Sequence, residues 1–246
     1  MLCATGVVLS SGAIANTIGP NSSDAITTAF GGAGDADLTA LSGFPTFDAA
    51  VLEFEFIPDA DIVFFHYVFG SDEYNEWVTS SFNDTFAFYV NGVNCALVDD
   101  GAGGFAPITI NTINNGNPFG SGGPNAALYR NNDLSDGGGA IDTEMDGLTV
   151  VLTCTAAVNA GVPNTMKLAI ADASDTILDS AVFLEEGSLS TTPPGDCPDG
   201  VQDHGYDGGG DDGNDDDGDG PVNDCDDGAV DDVDDVDDVD DGDNNG

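Results

Sequence analysis

Carboxylates in this chain come in short, closely spaced groups. Ser71-Asp-Glu-Tyr-Asn-Glu76 sets Asp72, Glu73 and Glu76 directly after an apolar run, and Asn83 and Asp84 follow shortly downstream. Asp172, Asp175 and Asp179 form a further group between two apolar runs. Calcium takes roughly six to eight oxygen ligands, drawn from such side chains and from backbone carbonyls on glycine-rich loops. If the fold brings the two regions to one edge, Asp72, Glu73, Glu76, Asn83, Asp84, Asp172, Asp175 and Asp179 make a single Ca2+ site, with divalent cations as the expected partners. The competing reading is that Asp and Asn cap turns by accepting bonds from neighbouring backbone amides. That reading is preferred for Asp35 and Asp37 in Gly34-Asp-Ala-Asp-Leu38.

Two aromatics accompany the first acidic group. Tyr74 and Trp77 either stack on a sugar ring or a surface protein as a binding anchor, or pack over the loop and hold its carboxylates in place. Catalytic chemistry is poorly served by comparison. The chain has no Gly-x-Ser-x-Gly elbow, no HExxH and no Walker-type loop. Glu53 and Glu55 have the type of a glycosidase pair, but two residues apart on one strand they stand on one face, about 7 Å apart, and read as a solvent-facing edge. His66 lies in the most apolar stretch and reads as a core residue, and His204 lies near the C-terminal end. The expectation is a protein that is not an enzyme.

The elements that must position these residues read as strands. Val51–Ile57 alternates Leu52, Phe54 and Phe56 with Glu53 and Glu55, the period of a half-buried strand with its apolar residues on the core. Residues 62–69 are apolar on both faces and rich in β-branched and aromatic side chains, as in a central strand. Similar signals occur at Thr85–Val90, Ile108–Ile113, Leu148–Thr155, Met166–Ala171 and Ser180–Leu184. Clusters of Gly, Asn and Asp lie between them, and no convincing amphipathic helix is present. The expected fold class is all-β: an antiparallel β-sandwich, jelly-roll-like, followed by a disordered acidic tail.

Charge sets further limits. The 246 residues include 46 acidic and two basic ones, for a net charge of −44. With only Arg130 and Lys167 available to neutralise phosphates, nucleic acid is excluded as a partner, and no apolar run is long enough for a direct membrane span. Twenty-two of the acids lie beyond Thr192, where Leu, Ile, Phe, Met and Trp are absent. That segment cannot bury a core. The division is therefore 1–192 as the β-sandwich domain and 193–246 as an Asp/Gly-rich low-complexity tail, with the boundary at Pro193-Pro194. Within the tail, Asp211–Asp219 suits weak, multivalent cation binding or a hydrated spacer, and the acidity as a whole also suits adaptation to salt. Five cysteines pair most simply as one bridge per region, Cys95 with Cys154 and Cys197 with Cys225, leaving Cys3 free. This usage fits an oxidising compartment.

A family resemblance rests on blocks in a fixed order: Gly6-Val-Val-Leu-Ser-Ser-Gly12, Gly19-Pro-Asn21, Gly34-Asp-Ala-Asp-Leu38, Asp48-Ala-Ala-Val-Leu-Glu-Phe-Glu-Phe56, Tyr67-Val-Phe-Gly-Ser-Asp-Glu-Tyr-Asn-Glu76, Phe82-Asn-Asp84, Ile170-Ala-Asp-Ala-Ser-Asp175 and Asp179-Ser-Ala-Val-Phe-Leu184. Together they resemble the choice-of-anchor L family, over most of residues 5–190. The resemblance implies a bacterial extracellular or cell-surface domain of β structure and specifies no reaction. Family members carry residues ahead of the block at Gly6–Gly12 and a signal peptide, so the N-terminus reads as truncated, and an incomplete sheet edge invites self-assembly with a neighbouring copy. Cys197-Pro-Asp-Gly200 and Cys225-Asp-Asp-Gly228 resemble a degenerate copy of a Cys- and Asp/Gly-rich repeat of surface proteins. The reading that unites these features is a secreted or cell-surface, calcium-stabilised β-sandwich for adhesion or for extracellular matrix or filament structure. The alternatives are a lectin-like carbohydrate-binding module and, further off, a glycoside-active enzyme.

Overall fold

Residues 5–116 and 122–193 are described by a computed structural model, and all belong to one unit of the chain, Met1–Pro193. Readings of the tail, including the Cys197–Cys225 pairing, and of Cys3 lie outside the described residues. In chain order the strands are β1 (Gly6–Ser10), β2 (Thr46–Phe56), β3 (Ile62–Ser71), β4 (Thr85–Val90), β5 (Val93–Asn94) and β6 (Leu97–Asp99). They continue as β7 (Phe105–Pro107), β8 (Tyr129–Asn131), β9 (Gly147–Thr149), β10 (Leu152–Ala157), β11 (Asn164–Ala173) and β12 (Ser180–Glu185). The first sheet has the order β1-β12-β3-β9-β8, with β10 also beside β3, and the second has the order β2-β11-β4-β5. All pairings are antiparallel, and β6 and β7 form a separate hairpin. This is the expected all-β sandwich.

Alternation along the strands builds the core between the sheets. Val63, Phe65, Tyr67 and Phe69 of β3 turn inward, as do Phe86 and Phe88 of β4 and Met166, Leu168 and Ile170 of β11. Tyr67 meets Phe88 edge-on at 4.8 Å between ring centres, and Phe69 stacks on Phe86 at 4.9 Å. Each such buried side chain contributes about 1.5–3 kcal/mol through removal from water. The Cys95–Cys154 disulfide forms as expected and ties the segment after β5 to β10, so it staples one sheet to the other.

Several sequence expectations are corrected, among them the single strand read at Leu148–Thr155, which is two, β9 and β10. Ile108–Ile113 is not a strand: Ile108, Ile110 and Ile113 are buried, but the Thr112 hydroxyl accepts from the Thr109 amide at 2.9 Å and the Ile113 amide donates to the Thr109 carbonyl at 3.1 Å. These local bonds replace a ladder with a turn. A short helix, α1 (Ala36–Ser42), was not expected; Asp35 caps it by accepting from the Asp37 and Leu38 amides, and Gly43 ends it in the left-handed region at φ 76°. The capping role read for Asp35 is thus real, and Leu38 seats the helix on Ala87, Ala169 and Ala171 of the second sheet. His66 is not in the core. Because Phe65 and Tyr67 face inward, His66 faces outward, where its Nδ1 lies 2.8 Å from a Glu185 carboxylate oxygen. Leu52 is 39% exposed rather than buried, since β2 is an edge strand, while Phe54 and Phe56 do pack on the core.

Candidate cation site

Strand register places acidic residues opposite one another at one end of the sandwich. In the first sheet Ser71, the last residue of β3, pairs with Ser180 of β12 on one side and Gly147 of β9 on the other. One step further along, Asp72 therefore faces Asp179 and Asp146, each immediately before its strand; the Asp72 amide donates to the Asp179 carbonyl at 3.1 Å. In the second sheet Thr85 of β4 pairs with Ala171 of β11, so the next pair is Asp84 and Asp172. The two rows adjoin, because the Ser180 hydroxyl lies 2.8 Å from both the Ser71 hydroxyl and an Asp84 carboxylate oxygen. Like charges directly opposite on neighbouring strands destabilise a sheet, and here they are buried as well. Asp72, Asp84, Asp146, Asp172 and Asp179 are each at most 1% exposed.

Some of these carboxylates are occupied by the protein itself. Asp179 accepts from the Thr28 amide and the Asn16 carboxamide, both at 3.1 Å. Asp48, held in the left-handed region at φ 47°, accepts from the amides of Phe30, Gly31 and Gly32. Together they fasten the segment between β1 and α1. Asp84 accepts from the Ala173 amide at 2.9 Å, and Glu73 accepts from the Asp84 amide at 3.0 Å. Asp172 differs: neither carboxylate oxygen has a hydrogen-bond partner among the described residues, and the nearby Ser11 hydroxyl does not reach bonding geometry. Asp72 is in the same condition, with the Asp146 amide close but short of a bond.

Electrostatics follow from this placement. Burial, followed by the charges of Asp146 and Asp179, pushes the Asp72 carboxyl up to about 10. Burial raises Asp146 to about 8, against a lowering by the Asn21 carboxamide. Glu73, Asp84 and Asp172 are all raised, first by burial and then by acidic neighbours: Asp172 for Glu73, Glu73 and then Asp172 for Asp84, and Asp179 for Asp172. Neither basic side chain relieves them. Lys167 is bound 2.7 Å from both Asp35 and Asp37, and Arg130 donates to the carbonyls of Ala127 and Tyr129.

The eight acidic and amide residues read as one site are thus distributed. Glu73, Asp84, Asp172 and Asp179 come together, with Asp175 beside Glu73 on a small cavity of about 120 Å³. Asp72 turns toward Asp146, and Glu76 lies by Asp133, an acid close enough to raise it together with burial. Asn83 is elsewhere employed, its oxygen accepting from the Asn111 amide at 3.2 Å. Among the described residues no group of three or more His, Cys, Asp or Glu side chains is preformed as a metal cage. Tyr74 is corrected as a ligand contact: it is fully buried against Phe69 and Tyr129, and its hydroxyl donates to the Ile113 carbonyl at 2.7 Å. Trp77 remains 41% exposed, edge-on to Phe82 beside the same small cavity.

Sequence reading missed Asp146, Asp48 and Asp133. The signal for Asp146 was available, since it immediately precedes an apolar strand as Asp84 and Asp179 do. A depression of about 760 Å³ lies on the second sheet, away from the acids at the sandwich end, and is flanked by the exposed Glu53 and Glu55. No helix among the described residues is long and apolar enough to cross a membrane. The family model of the choice-of-anchor L domain matches residues 1–190. No curated protein and no solved structure matches the chain.

Proposed function

The chain belongs to the choice-of-anchor L domain family, and from that premise we propose that it is a calcium-stabilised module for adhesion or extracellular matrix structure. Membership implies extracellular or cell-surface placement and a surface-domain type that is not enzymatic. The observation that carries the calcium reading is Asp172, buried in a sheet directly opposite Asp84 with both oxygens unpartnered. A buried carboxylate without a partner is costly, and the two basic side chains are engaged elsewhere, so the neutralising charge comes from solution. Calcium suits the place because it accepts a few carboxylates completed by hydroxyl, carbonyl and water oxygens in flexible geometry. Glu73, Asp84 and Asp172 supply the carboxylates of this reading, with Ser11 as the nearby hydroxyl.

Adhesion or matrix structure is favoured over sugar recognition because Tyr74 is buried, so Trp77 does not form a stacking platform with it. Cations that neutralise a surface of this acidity also allow copies of the chain to approach one another. The test is clustering of chain-coated beads in calcium and in chelator at equal ionic strength. Calcium-dependent clustering that is lost in Asp172→Asn is expected; equal clustering in chelator, or none in either, overturns the proposed role.

A further inference from the structure

A second set of buried acids adjoins the Asp172 group, on the β9 side of β3. Asp146 lies directly opposite Asp72 in the register, one step past the Gly147–Ser71 pair, and exerts the strongest charge on it. Both are fully buried. Neither oxygen of Asp72 has a hydrogen-bond partner among the described residues, and Asp146 has one on Oδ1 only, the Asn21 carboxamide at 2.7 Å. We propose that Asp72 and Asp146 bind a second divalent cation, calcium by preference, which locks two loops onto the end of the first sheet.

The loops are defined by their bonds. Asn21 donates to Asp146 and to the Asn132 carbonyl at 2.9 Å, and the Ser22 amide donates to Glu144 at 2.8 Å. Asn132 in turn donates to the carbonyls of Thr143 and Met145 at 3.0 and 2.9 Å and accepts from the Ile141 amide. The stretch around Asn21 and the loop between β8 and β9 therefore converge on Asp146. Glu76 and Asp133 add negative potential close by. Asp133 itself is satisfied by Ser135, whose amide and hydroxyl donate to it at 2.7 and 3.1 Å, so it shapes the field and is not offered as a ligand. Burial of this depth favours calcium over magnesium, which gives up its own water reluctantly.

The inference extends the calcium reading to a second ion but rests on different residues, so the two can fail separately. The experiment is a titration of the full chain with calcium against a chromophoric chelator, which registers tight sites and leaves weak binding by the acidic tail in the baseline. Wild type is expected to hold two tight ions, Asp146→Asn one, and Asp172→Asn the other one. Asp146→Asn keeps the shape and the Asn21 acceptor, and circular dichroism checks its fold. An unchanged count and affinity in Asp146→Asn overturns the second site while leaving the first; a loss in Asp146→Asn with none in Asp172→Asn overturns the first alone. No tight ion in wild type overturns both. Hydrogen exchange on wild type needs no variant: calcium is expected to slow exchange across residues 131–146, and identical exchange with chelator overturns the second site.

Discussion

At the scale of single residues, the acids at the sandwich end present one alternative: each holds a proton or a cation. Asp72, raised to about 10, and Asp146, raised to about 8, keep protons at neutral pH when no cation is present. In the unfolded chain both ionise near their ordinary value of about 3.9. A raised carboxyl in the folded state therefore contributes stability that is complete below about pH 4 and is lost as pH rises through about 8 and then 10. In chelator the melting temperature is expected to fall from pH 5 to pH 8, and in saturating calcium, which needs the ionised carboxylates, the fall is expected to flatten or reverse. Melting curves over that range check it, and a melting temperature that climbs with pH in chelator contradicts it. Asp72, Asp84, Asp172 and Asp179 could be read from the sequence as site candidates because each adjoins an apolar strand. Their division into two neighbourhoods could not, because it depends on β3 lying between β12 and β9, which no local spacing encodes. Tyr74 and Trp77, three residues apart, met opposite fates for the same reason: the packing of Tyr129 on Tyr74 is a long-range contact.

At the scale of elements, alternation located the strands that carry the core. β3, β4, β11 and β12 all lie where their β-branched and aromatic residues placed them, because one or both of their faces are buried and the period of two is obligatory there. The errors fall where another interaction overrides periodicity. Ile108–Ile113 has strand composition, but its threonines bond their own backbone. Leu148–Thr155 reads as one strand yet breaks into β9 and β10, which pair with different halves of β3. Helix α1 is seven residues long, too short for a periodic signal, and depends on the Asp35 cap and on Leu38. The Cys95–Cys154 bridge is the covalent element between the sheets and closes a separation of 59 residues. A loop of that size restricts the unfolded chain by roughly 4 kcal/mol in the loop-entropy treatment. Replacing both cysteines by alanine is expected to lower the unfolding free energy by about 2–4 kcal/mol in urea titrations made in calcium. A change below about 0.5 kcal/mol contradicts a staple between the sheets.

At the scale of the whole molecule, a chain with 46 acids and two bases cannot neutralise itself. Half of that charge lies beyond Thr192 in sequence, and water and salt screen the acids that are exposed on the domain. The acids at the end of the sandwich are different, because burial removes screening and register sets them face to face. That contrast is what composition alone did not reveal: −44 is equally compatible with salt adaptation, whereas unpartnered, buried Asp72 and Asp172 each hold a proton or take up a specific counter-charge. The most direct measurement is thermal unfolding of the full chain in calcium and in chelator at constant ionic strength, with magnesium and sodium as controls and Asp172→Asn alongside. An ion that binds only the folded state adds about 2.7 kcal/mol at a hundredfold excess over its dissociation constant, which for a domain of this size is roughly 5–10 °C. A calcium-specific rise of that order, reduced in Asp172→Asn, is the expected result. No rise, or one matched by magnesium and sodium, contradicts calcium binding and leaves the acids as protonated groups within a salt-adapted surface protein.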